Sequence, residues 1–397
     1  MRVLSISKER DLRKLMRQMN VDSYGIKIML PKAQSYLLKV NALSNISANI
    51  LKQEMLSLGG DCAVARGALT GKVKKTDCLI MGNLSQINRL SDKLNKQPFG
   101  LNNVARDLAS AIKNFQKDTP ELVLGKHRFN FAARSYIMGI VNVTPDSFSG
   151  DGLYGDGLKT SDIIEYAQKL VKDGADIIDI GGESSRPGAT PVSPKEELLR
   201  VIPAIKALAK KIKVPISVDT YKPEVAKQAL DNGAAMINDI TALRNAKMAK
   251  VIADHKAAVV IMHMRGNPRS MQTNPRYTSL IDEITGYLSE AVRKGEEAGI
   301  NKNKIIVDPG IGFGKTLENN LEILKRLKEF KILDKPILIG VSRKAFLGAI
   351  LNAPTQERIF GTVASSVLAC ENGANIIRAH DVGALKQALL IKDRVSQ

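Results

Sequence analysis

The chain has 397 residues, of which 44% are hydrophobic and 25% are charged, a composition that is ordinary for a globular protein. No apolar run approaches the roughly 20 residues that a membrane-spanning helix needs, so we expect no membrane partner. The length suits a large domain of about 250 residues together with a smaller one.

The formal charge of +19 is unevenly spread, with about +12 up to the neighbourhood of residue 130 and about +7 beyond it. Nucleic-acid binding is one interpretation of such a bias. Because aromatic residues make up only 4% of the chain and Trp is absent, a solvated basic surface is favoured. We therefore expect no nucleic-acid partner.

The cysteines and the first residues indicate a cellular setting. Cys62, Cys78 and Cys370 are widely spaced and fit neither a disulfide framework nor a paired-cysteine metal motif. Arg2 and Lys8 are not followed by the apolar core of a secretory signal. The sequence therefore predicts a reducing, cytoplasmic setting.

Residues 1–117 predict a small α+β domain whose role the sequence leaves open. Apolar patterns and turn residues predict strands over 36–40, 62–65 and 77–81, and helices over 47–58, 84–94 and 104–115. No titratable cluster lies in this segment, so interaction, regulation and scaffold support all remain open. Asp118-Thr119-Pro120 predicts a linker, with the second domain over 120–397.

The second domain alternates between strand and helix patterns after a hairpin-like segment over 122–131. The predicted strands cover 136–143, 175–181, 214–219, 234–239, 257–263, 304–308, 336–341 and 375–380. Amphipathic helices are predicted between them, for example over 162–172, 196–209 and 321–330. Eight such repeats predict an α/β fold of the (β/α)8 type, a TIM barrel.

Nearly every predicted barrel strand ends in a polar residue, and the C-terminal strand ends of a barrel converge on one pocket. Asp219 and Asp308 could bind a metal, act as a base or accept hydrogen bonds from ligand N–H groups. For Asp219 a helix N-cap is the alternative, because a helix pattern starts just after it. Together with Asn238, the two carboxylates favour recognition of a planar heterocycle that is rich in donors.

Cationic side chains follow the seventh and eighth predicted strands, where barrels often bind phosphate: Arg343, Lys344, Arg378 and His380. His380 beside Arg378 favours an oxyanion partner. Asn142, at the end of the first strand, could hold an anion or ligate Mg²⁺ through its amide oxygen. Long connections over 144–160, 183–193 and 265–277 lie on the same predicted face.

A glycine-rich segment over 310–316 superficially resembles a nucleotide phosphate loop. That loop requires a glycine where this chain has Pro309, so the interpretation fails. The glycines instead predict a tight turn close to the ligand.

At these positions the chain resembles the dihydropteroate synthase family, the folate-pathway enzymes that sulfonamides target. The matching motifs are MGIVNVTPDSFS at 138–149, DIGGESSRPG at 179–188, SVDT at 217–220, IND at 237–239, MHM at 262–264, DPG at 308–310, SRK at 342–344 and RAHD at 378–381. The resemblance covers about 120–397. Two departures occur: the sequence over 149–152 reads SGDG instead of SDGG, and Ser185 replaces the common Thr.

The resemblance implies that 6-hydroxymethyl-7,8-dihydropterin diphosphate and 4-aminobenzoate condense to 7,8-dihydropteroate and diphosphate, with Mg²⁺ as cofactor. It implies a pterin site formed by Asp219, Asn238, Asp308 and Lys344. It implies a site for the diphosphate and its metal formed by Asn142, Arg186, Arg378 and His380, beside which Arg343 is also predicted to bind substrate. It implies an aminobenzoate site formed by Ser184, Ser185, Pro187, Phe313 and Lys344. Asp219, Asp308, Lys344, Arg378 and His380 are the predicted catalytic residues, and a homodimer is expected.

The chemistry agrees with this assignment, because Mg²⁺ and fixed cations would stabilise charge on the departing diphosphate. A methyltetrahydrofolate–corrinoid methyltransferase on the same barrel is the alternative. That enzyme needs no diphosphate anchors, so the motifs at 342–344 and 378–381 disfavour it. A binding protein with an inactive barrel, whose basic N-terminal region recruits nucleic acid or another enzyme, is a third hypothesis.

Overall fold

The computed structural model describes residues 1–6, 8–144, 160–184, 190–268 and 270–396. The chain divides into two compact units, Met1–Gln116 and Lys117–Gln397. Each unit has its own hydrophobic core. Within the described ranges, no helix combines the length and apolar character needed to cross a lipid bilayer.

The first unit is an α+β domain, as predicted, with a three-stranded antiparallel sheet in the order β1-β3-β2. Its strands are β1 (Ser35–Ser44), β2 (Asp61–Val64) and β3 (Lys75–Asn83). Its helices are α1 (Glu9–Gln18), α2 (Ser23–Ala33), α3 (Asn45–Ser57), α4 (Arg66–Leu69), α5 (Leu84–Leu94) and α6 (Leu101–Gln116). Leu51, Met55, Ile80 and Leu90 are fully buried between helices and sheet.

The sequence predicted α5 with the correct bounds but missed α1 and α2. A capping box explains the sharp start of α5: Gln86 N donates to the Asn83 side chain and Asn83 N donates to the Gln86 side chain. The basic segment before residue 18 hid α1, which buries no residue.

The second unit is a barrel of eight parallel strands that follows a hairpin of β4 (Leu122–Leu124) and β5 (His127–Phe129). The barrel strands are β6 (Tyr136–Asn142), β7 (Ile177–Gly181), β8 (Ile216–Asp219), β9 (Met236–Asp239), β10 (Ala258–Met262), β11 (Ile305–Asp308), β12 (Leu338–Ile339) and β13 (Ile376–Ala379). Its helices are α7 (Thr160–Lys172), α8 (Pro194–Lys211), α9 (Pro223–Asp231), α10 (Ala246–Asp254), α11 (Leu280–Glu297), α12 (Leu317–Arg326), α13 (Ala345–Leu351), α14 (Ile359–Glu371) and α15 (Val382–Val395). Short 3₁₀ helices cover Lys302–Lys304, Leu327–Leu333 and Thr355–Glu357.

The strand order shows that the sheet curls into a barrel. It runs β11-β10-β9-β8-β7-β6-β13-β12, so the first and the last strands are neighbours. A parallel bridge between Val307 and Ile337 joins the two remaining edges. The predicted TIM barrel is therefore confirmed, with every predicted strand present. The predicted helix over 321–330 is corrected: α12 ends at Arg326 and the chain tightens into a 3₁₀ helix.

The inside of the barrel is apolar at one end and polar at the other. Near the strand starts, one buried cluster joins strand residues such as Met138, Met236 and Ile306 to Leu122 and Phe129 of the hairpin. The hairpin thus packs against the apolar end of the barrel interior, and the polar residues at the strand ends occupy the opposite end, where barrels carry their chemistry.

Candidate functional site

A pocket with about 480 Å³ of empty space lies at the C-terminal ends of the barrel strands. Seven of the predicted site residues line it: Asp219, Asn238, Asp308, Phe313, Lys344, Arg378 and His380. The other lining residues are Ile140, Ile240, Met262, Ile311, Gly340 and Ser342. The mixture of apolar walls with a few polar groups is typical of small-molecule sites.

Arg378 lies between two carboxylates inside this pocket. Its Nε donates to Asp179 Oδ2 at 2.6 Å and its Nη2 donates to Asp219 Oδ2 at 2.9 Å. Asn238 Nδ2 also donates to Asp179 Oδ2, at 3.2 Å. Arg378 is therefore a cationic group placed directly between two of the acidic ones.

Sequence reasoning missed Asp179, although the signal was available. Asp179 is a fully buried charge within the otherwise apolar strand β7, and a charge is buried in this way only with a partner. The capping alternative for Asp219 is excluded, because Lys222 is the residue that precedes α9 and Asp219 bonds to Arg378.

Burial raises the pKa values of two pocket carboxyls to near physiological pH. It raises the pKa of Asp219 to about 7, although Arg378 favours the ionised form. Burial also raises the pKa of Asp308 to about 6. Two groups oppose this rise and favour the ionised form: the Gly310 N–H, which donates to Asp308 Oδ1 at 2.7 Å, and Lys344. Modest changes in surroundings can therefore switch the charge of either group.

The glycine-rich segment after β11 forms one wall of the pocket. Gly310, Gly312 and Gly314 all have positive φ, and a Cβ on Gly310 would lie 2.0 Å from the His263 carbonyl oxygen. The turn brings Phe313 beneath Lys344, whose Nζ is 4.3 Å from the ring centroid. A cation at this distance is attracted by the ring face.

A buried lysine supports this wall from behind. Lys315 Nζ lies 3.0 Å from His263 Nδ1 and donates to the Phe313 carbonyl at 3.0 Å. Burial lowers the pKa of His263 to about 2, so its ring is neutral and Nδ1 accepts from the lysine. Burial also lowers the pKa of Lys315 to about 7, against the attraction of Asp308. No pattern of residues indicates this pair, whose members are 52 positions apart in the chain.

At the ends of β12 and β13, Ser342 and His380 form a polar pair. Ser342 Oγ lies 3.0 Å from His380 Nδ1 and accepts from the His380 backbone N–H at 3.2 Å. Ser342 belonged to a recognised motif but was not among the predicted site residues. The pair occupies the position where barrels commonly bind phosphate.

Three predicted residues lie apart from the pocket lining. Asn142 ends β6 at intermediate burial, and Ser184 follows β7. Arg343 turns away: its guanidinium pairs with both carboxylate oxygens of Asp381, at 3.0 and 2.6 Å. Ser185, Arg186 and Pro187, and the altered sequence over 149–152, lie outside the described residues. The roles of all these residues stay predictions.

Comparison with known proteins identifies the barrel. Residues 138–380 match the pterin binding enzyme family. The dihydropteroate synthase of Synechocystis is 47% identical over 276 residues, which cover 69% of this chain and 94% of that protein. A Yersinia pestis dihydropteroate synthase, solved in complex with a sulfonamide drug, superposes with a TM-score of 0.67 at 40% identity, covering 70% of this chain and 99% of that one.

A further relative extends the match into the first unit. A probable bifunctional folylpolyglutamate synthase/dihydropteroate synthase of Halobacterium salinarum is 39% identical over 373 residues, covering 94% of this chain and 44% of that protein. The resemblance read from the motifs is confirmed, and the corrinoid methyltransferase alternative is not supported. The chain belongs to the dihydropteroate synthase family of pterin-binding transferases.

Proposed function

We propose that this pocket binds 6-hydroxymethyl-7,8-dihydropterin diphosphate and joins it to 4-aminobenzoate, and that the lining residues divide between ring and diphosphate. The reaction, which releases 7,8-dihydropteroate and diphosphate, is the one that defines the family. The observation that carries the division is the presence of the Asp219 and Asp308 carboxyls in the same pocket as Lys344 and His380.

Asp219 and Asp308 hold the pterin ring in this proposal. An amino-pyrimidinone ring presents N–H donors, and an ionised carboxylate accepts such bonds more strongly than a neutral group does. Asn238, oriented by Asp179, and Lys344 supply donors for the ring acceptors. A ring without these donors would occupy the pocket without hydrogen-bonding the two carboxyls, so the same groups provide specificity.

His380, with Ser342 and Arg378, binds the diphosphate end. The carbon–oxygen bond to diphosphate breaks with both electrons on the oxygen, so negative charge grows there in the transition state. Fixed cations aimed at that oxygen stabilise the transition state more than the ground state. The arylamine nitrogen then forms the carbon–nitrogen bond and loses one proton. An arylamine is already neutral at pH 7, so the site requires no strong general base.

Asn142 is the residue proposed to ligate Mg²⁺. Its amide oxygen is the hard ligand type that this ion prefers, and Mg²⁺ commonly binds through one or two protein oxygens plus substrate phosphates. The described part of the chain holds no cluster of three or more His, Cys, Asp or Glu side chains suited to a metal, which agrees with a site completed by diphosphate. When bound, the ion supplies positive charge to the leaving group.

The aminobenzoate lies against Phe313 and Lys344 in this proposal. The ring of Phe313 offers an apolar surface to the benzene ring, and the Lys344 ammonium above it is placed to meet negative charge. Ser184, Ser185 and Pro187 complete the aminobenzoate site as the sequence motif predicts. Arg186 contributes positive charge to the diphosphate site.

The experiment is an assay for diphosphate release that requires both substrates. The wild type should release diphosphate only when 4-aminobenzoate is present, and Asp219→Ala or Lys344→Ala should abolish release. Normal turnover in both variants would refute the assignment of the pocket. Diphosphate release that does not depend on 4-aminobenzoate would refute the proposed reaction.

We further propose a homodimer in a reducing, cytoplasmic setting. The three cysteines are unpaired and buried, which suits reducing conditions. On the packed pair α14 and α15, Phe360, Leu368 and Ile391 are 84%, 59% and 69% exposed, and exposed apolar side chains on adjacent helices support contact with a second copy. Light scattering should give a dimer for the wild type and a monomer for Phe360→Asp. The control Leu199→Asp, an exposed leucine on α8, should remain dimeric.

A further inference from the structure

A buried ion cluster lies directly behind the pocket, where the chain leaves β7. The ammonium of Lys222 donates to carboxylate oxygens of both Glu183 and Glu197. The Tyr221 hydroxyl donates to the other oxygen of Glu183 at 2.9 Å. Lys222 and both glutamates are at most about one-tenth exposed. Charges so far from water require opposite charges and hydrogen-bond donors as partners.

The same segment is held from a second side by helix α8. Arg200 Nη1 donates to the Gly182 carbonyl at 2.8 Å, and Arg200 lies one helical turn beyond Glu197. The helix also approaches closely: a Cβ on Gly182 would lie 2.6 Å from Val201 Cγ1 and 3.0 Å from Glu197 Cγ. The Gly182 backbone is thus hydrogen-bonded to α8 directly, and the Glu183 side chain is linked to α8 through Lys222 and Glu197.

This segment adjoins the proposed substrate site. Gly181 is the register partner of Asp219, and a Cβ on Gly181 would lie 3.6 Å from the Asn142 amide oxygen. Ser184, assigned to aminobenzoate, follows Glu183 directly. The direction of the chain at Glu183 therefore decides where Ser184 lies relative to the pocket.

We propose that Lys222 is a positioning residue for the aminobenzoate end of the site. By neutralising Glu183 and Glu197 together, its ammonium fixes the chain at Glu183 and so presents Ser184 to the second substrate. Lys222 does not line the pocket, and it touches neither substrate in this account. The inference rests on the proposed function, since it concerns the second substrate of that reaction.

The physics of the cluster makes the effect local. Without the ammonium, two buried carboxylates face each other without compensation, and Glu183 moves toward water. Asp219 and Asp308 keep their own partners, Arg378 and the Gly310 N–H. The pterin subsite should therefore survive a change that displaces Ser184, whereas displacement of a positioning group by about 1 Å can cost about a hundredfold in rate.

Steady-state kinetics of Lys222→Met, Glu183→Gln and the matched control Lys227→Met test this. Lys227 is an exposed lysine on α9 paired with Asp231. We expect both cluster variants to raise the KM for 4-aminobenzoate about tenfold or more, with the KM for the pterin diphosphate changed by less than about twofold. The control should match the wild type in both constants.

An equal rise in both KM values, or an unchanged KM for 4-aminobenzoate in Glu183→Gln, would overturn the inference. If Lys222→Met does not fold, the result for Glu183→Gln alone decides the test. That variant keeps the ion pair between Lys222 and Glu197, so we expect it to fold. A wild type that forms no dihydropteroate from the two substrates would instead overturn the proposed function, and this is seen before any variant is measured.

Discussion

Arg378 and Asp219 are joined by a hydrogen bond of 2.9 Å at the floor of the pocket, and Asp179 accepts from the same guanidinium at 2.6 Å. One cation therefore compensates two carboxylates, of which that of Asp179 is fully buried. This arrangement allows acidic groups to line a pocket that must also receive a diphosphate.

Removing that cation should destabilise the barrel. Arg378→Met leaves Asp179, which is fully buried, without its charge partner. We expect the free energy of unfolding to fall by about 3–5 kcal/mol, the usual cost of breaking a buried pair from one side. Urea unfolding measures it, with exposed Arg394→Met as the control. A loss equal to that of the control would show that the ion pairs contribute nothing.

Binding of the pterin ring should weaken as the pH falls from 8 to 5. Burial raises the pKa of Asp219 to about 7 and of Asp308 to about 6, and the protonated acids accept the ring N–H groups poorly. Calorimetric titration with 6-hydroxymethyl-7,8-dihydropterin over this range measures the affinity. Affinity independent of pH would contradict the assignment of these carboxylates to the ring.

The same raised pKa values have the opposite effect on folding stability, which they increase at low pH. A carboxyl whose pKa in the folded protein lies above the ordinary aspartate value of 3.8 binds more protons in the folded state than in the unfolded state. Its stabilising contribution is complete below that value and is lost as pH rises through about 7 for Asp219. The carboxyls should thus favour folding at acid pH while ligand binding is favoured at neutral pH.

Lys315 should tune Asp308 and hold Phe313. Its cation lowers the pKa of Asp308, so Lys315→Met should move the acid limb of kcat/KM for the pterin diphosphate to higher pH. Loss of the bond to the Phe313 carbonyl should also raise the KM for 4-aminobenzoate. Lys325→Met, an exposed lysine on α12, is the control. If the acid limb of the kcat/KM profile does not move in Lys315→Met, the charge of Lys315 has no effect on the pKa of Asp308.

Gly310 should tolerate no side chain, whereas Gly286 should. Gly310 has φ +74° and a Cβ there would meet the His263 carbonyl at 2.0 Å, so Gly310→Ala should cost about 3 kcal/mol or more. Gly286 lies within α11 with open space around it, so Gly286→Ala should stabilise by about 0.5–1 kcal/mol. Thermal unfolding compares the two, and equal effects would contradict the turn geometry.

Much of the fold and part of the site could be predicted because both follow from local patterns. Each barrel strand is a short apolar run with a polar end, and barrel topology alone brings Asp219, Asp308 and Lys344 to one face. What the sequence could not show are partnerships across long separations. Lys222 meets Glu183 from 39 residues away, and no pattern of spacing indicates that pair.

Arg343 illustrates a different limit. Its neighbour Lys344 lines the pocket, yet Arg343 has φ +55° and its guanidinium pairs with Asp381. Sequence adjacency within a motif does not determine the direction of a side chain, because a single left-handed residue reverses it.

The most direct test compares two ligands, the pterin diphosphate and the same pterin without diphosphate, in two variants. Asp219→Ala should weaken the binding of both ligands, because it removes a ring contact. His380→Ala should weaken only the diphosphate, because its contact lies at the departing end. If His380→Ala weakened both equally, or Asp219→Ala weakened neither, the division of this pocket into ring and diphosphate sites would be wrong.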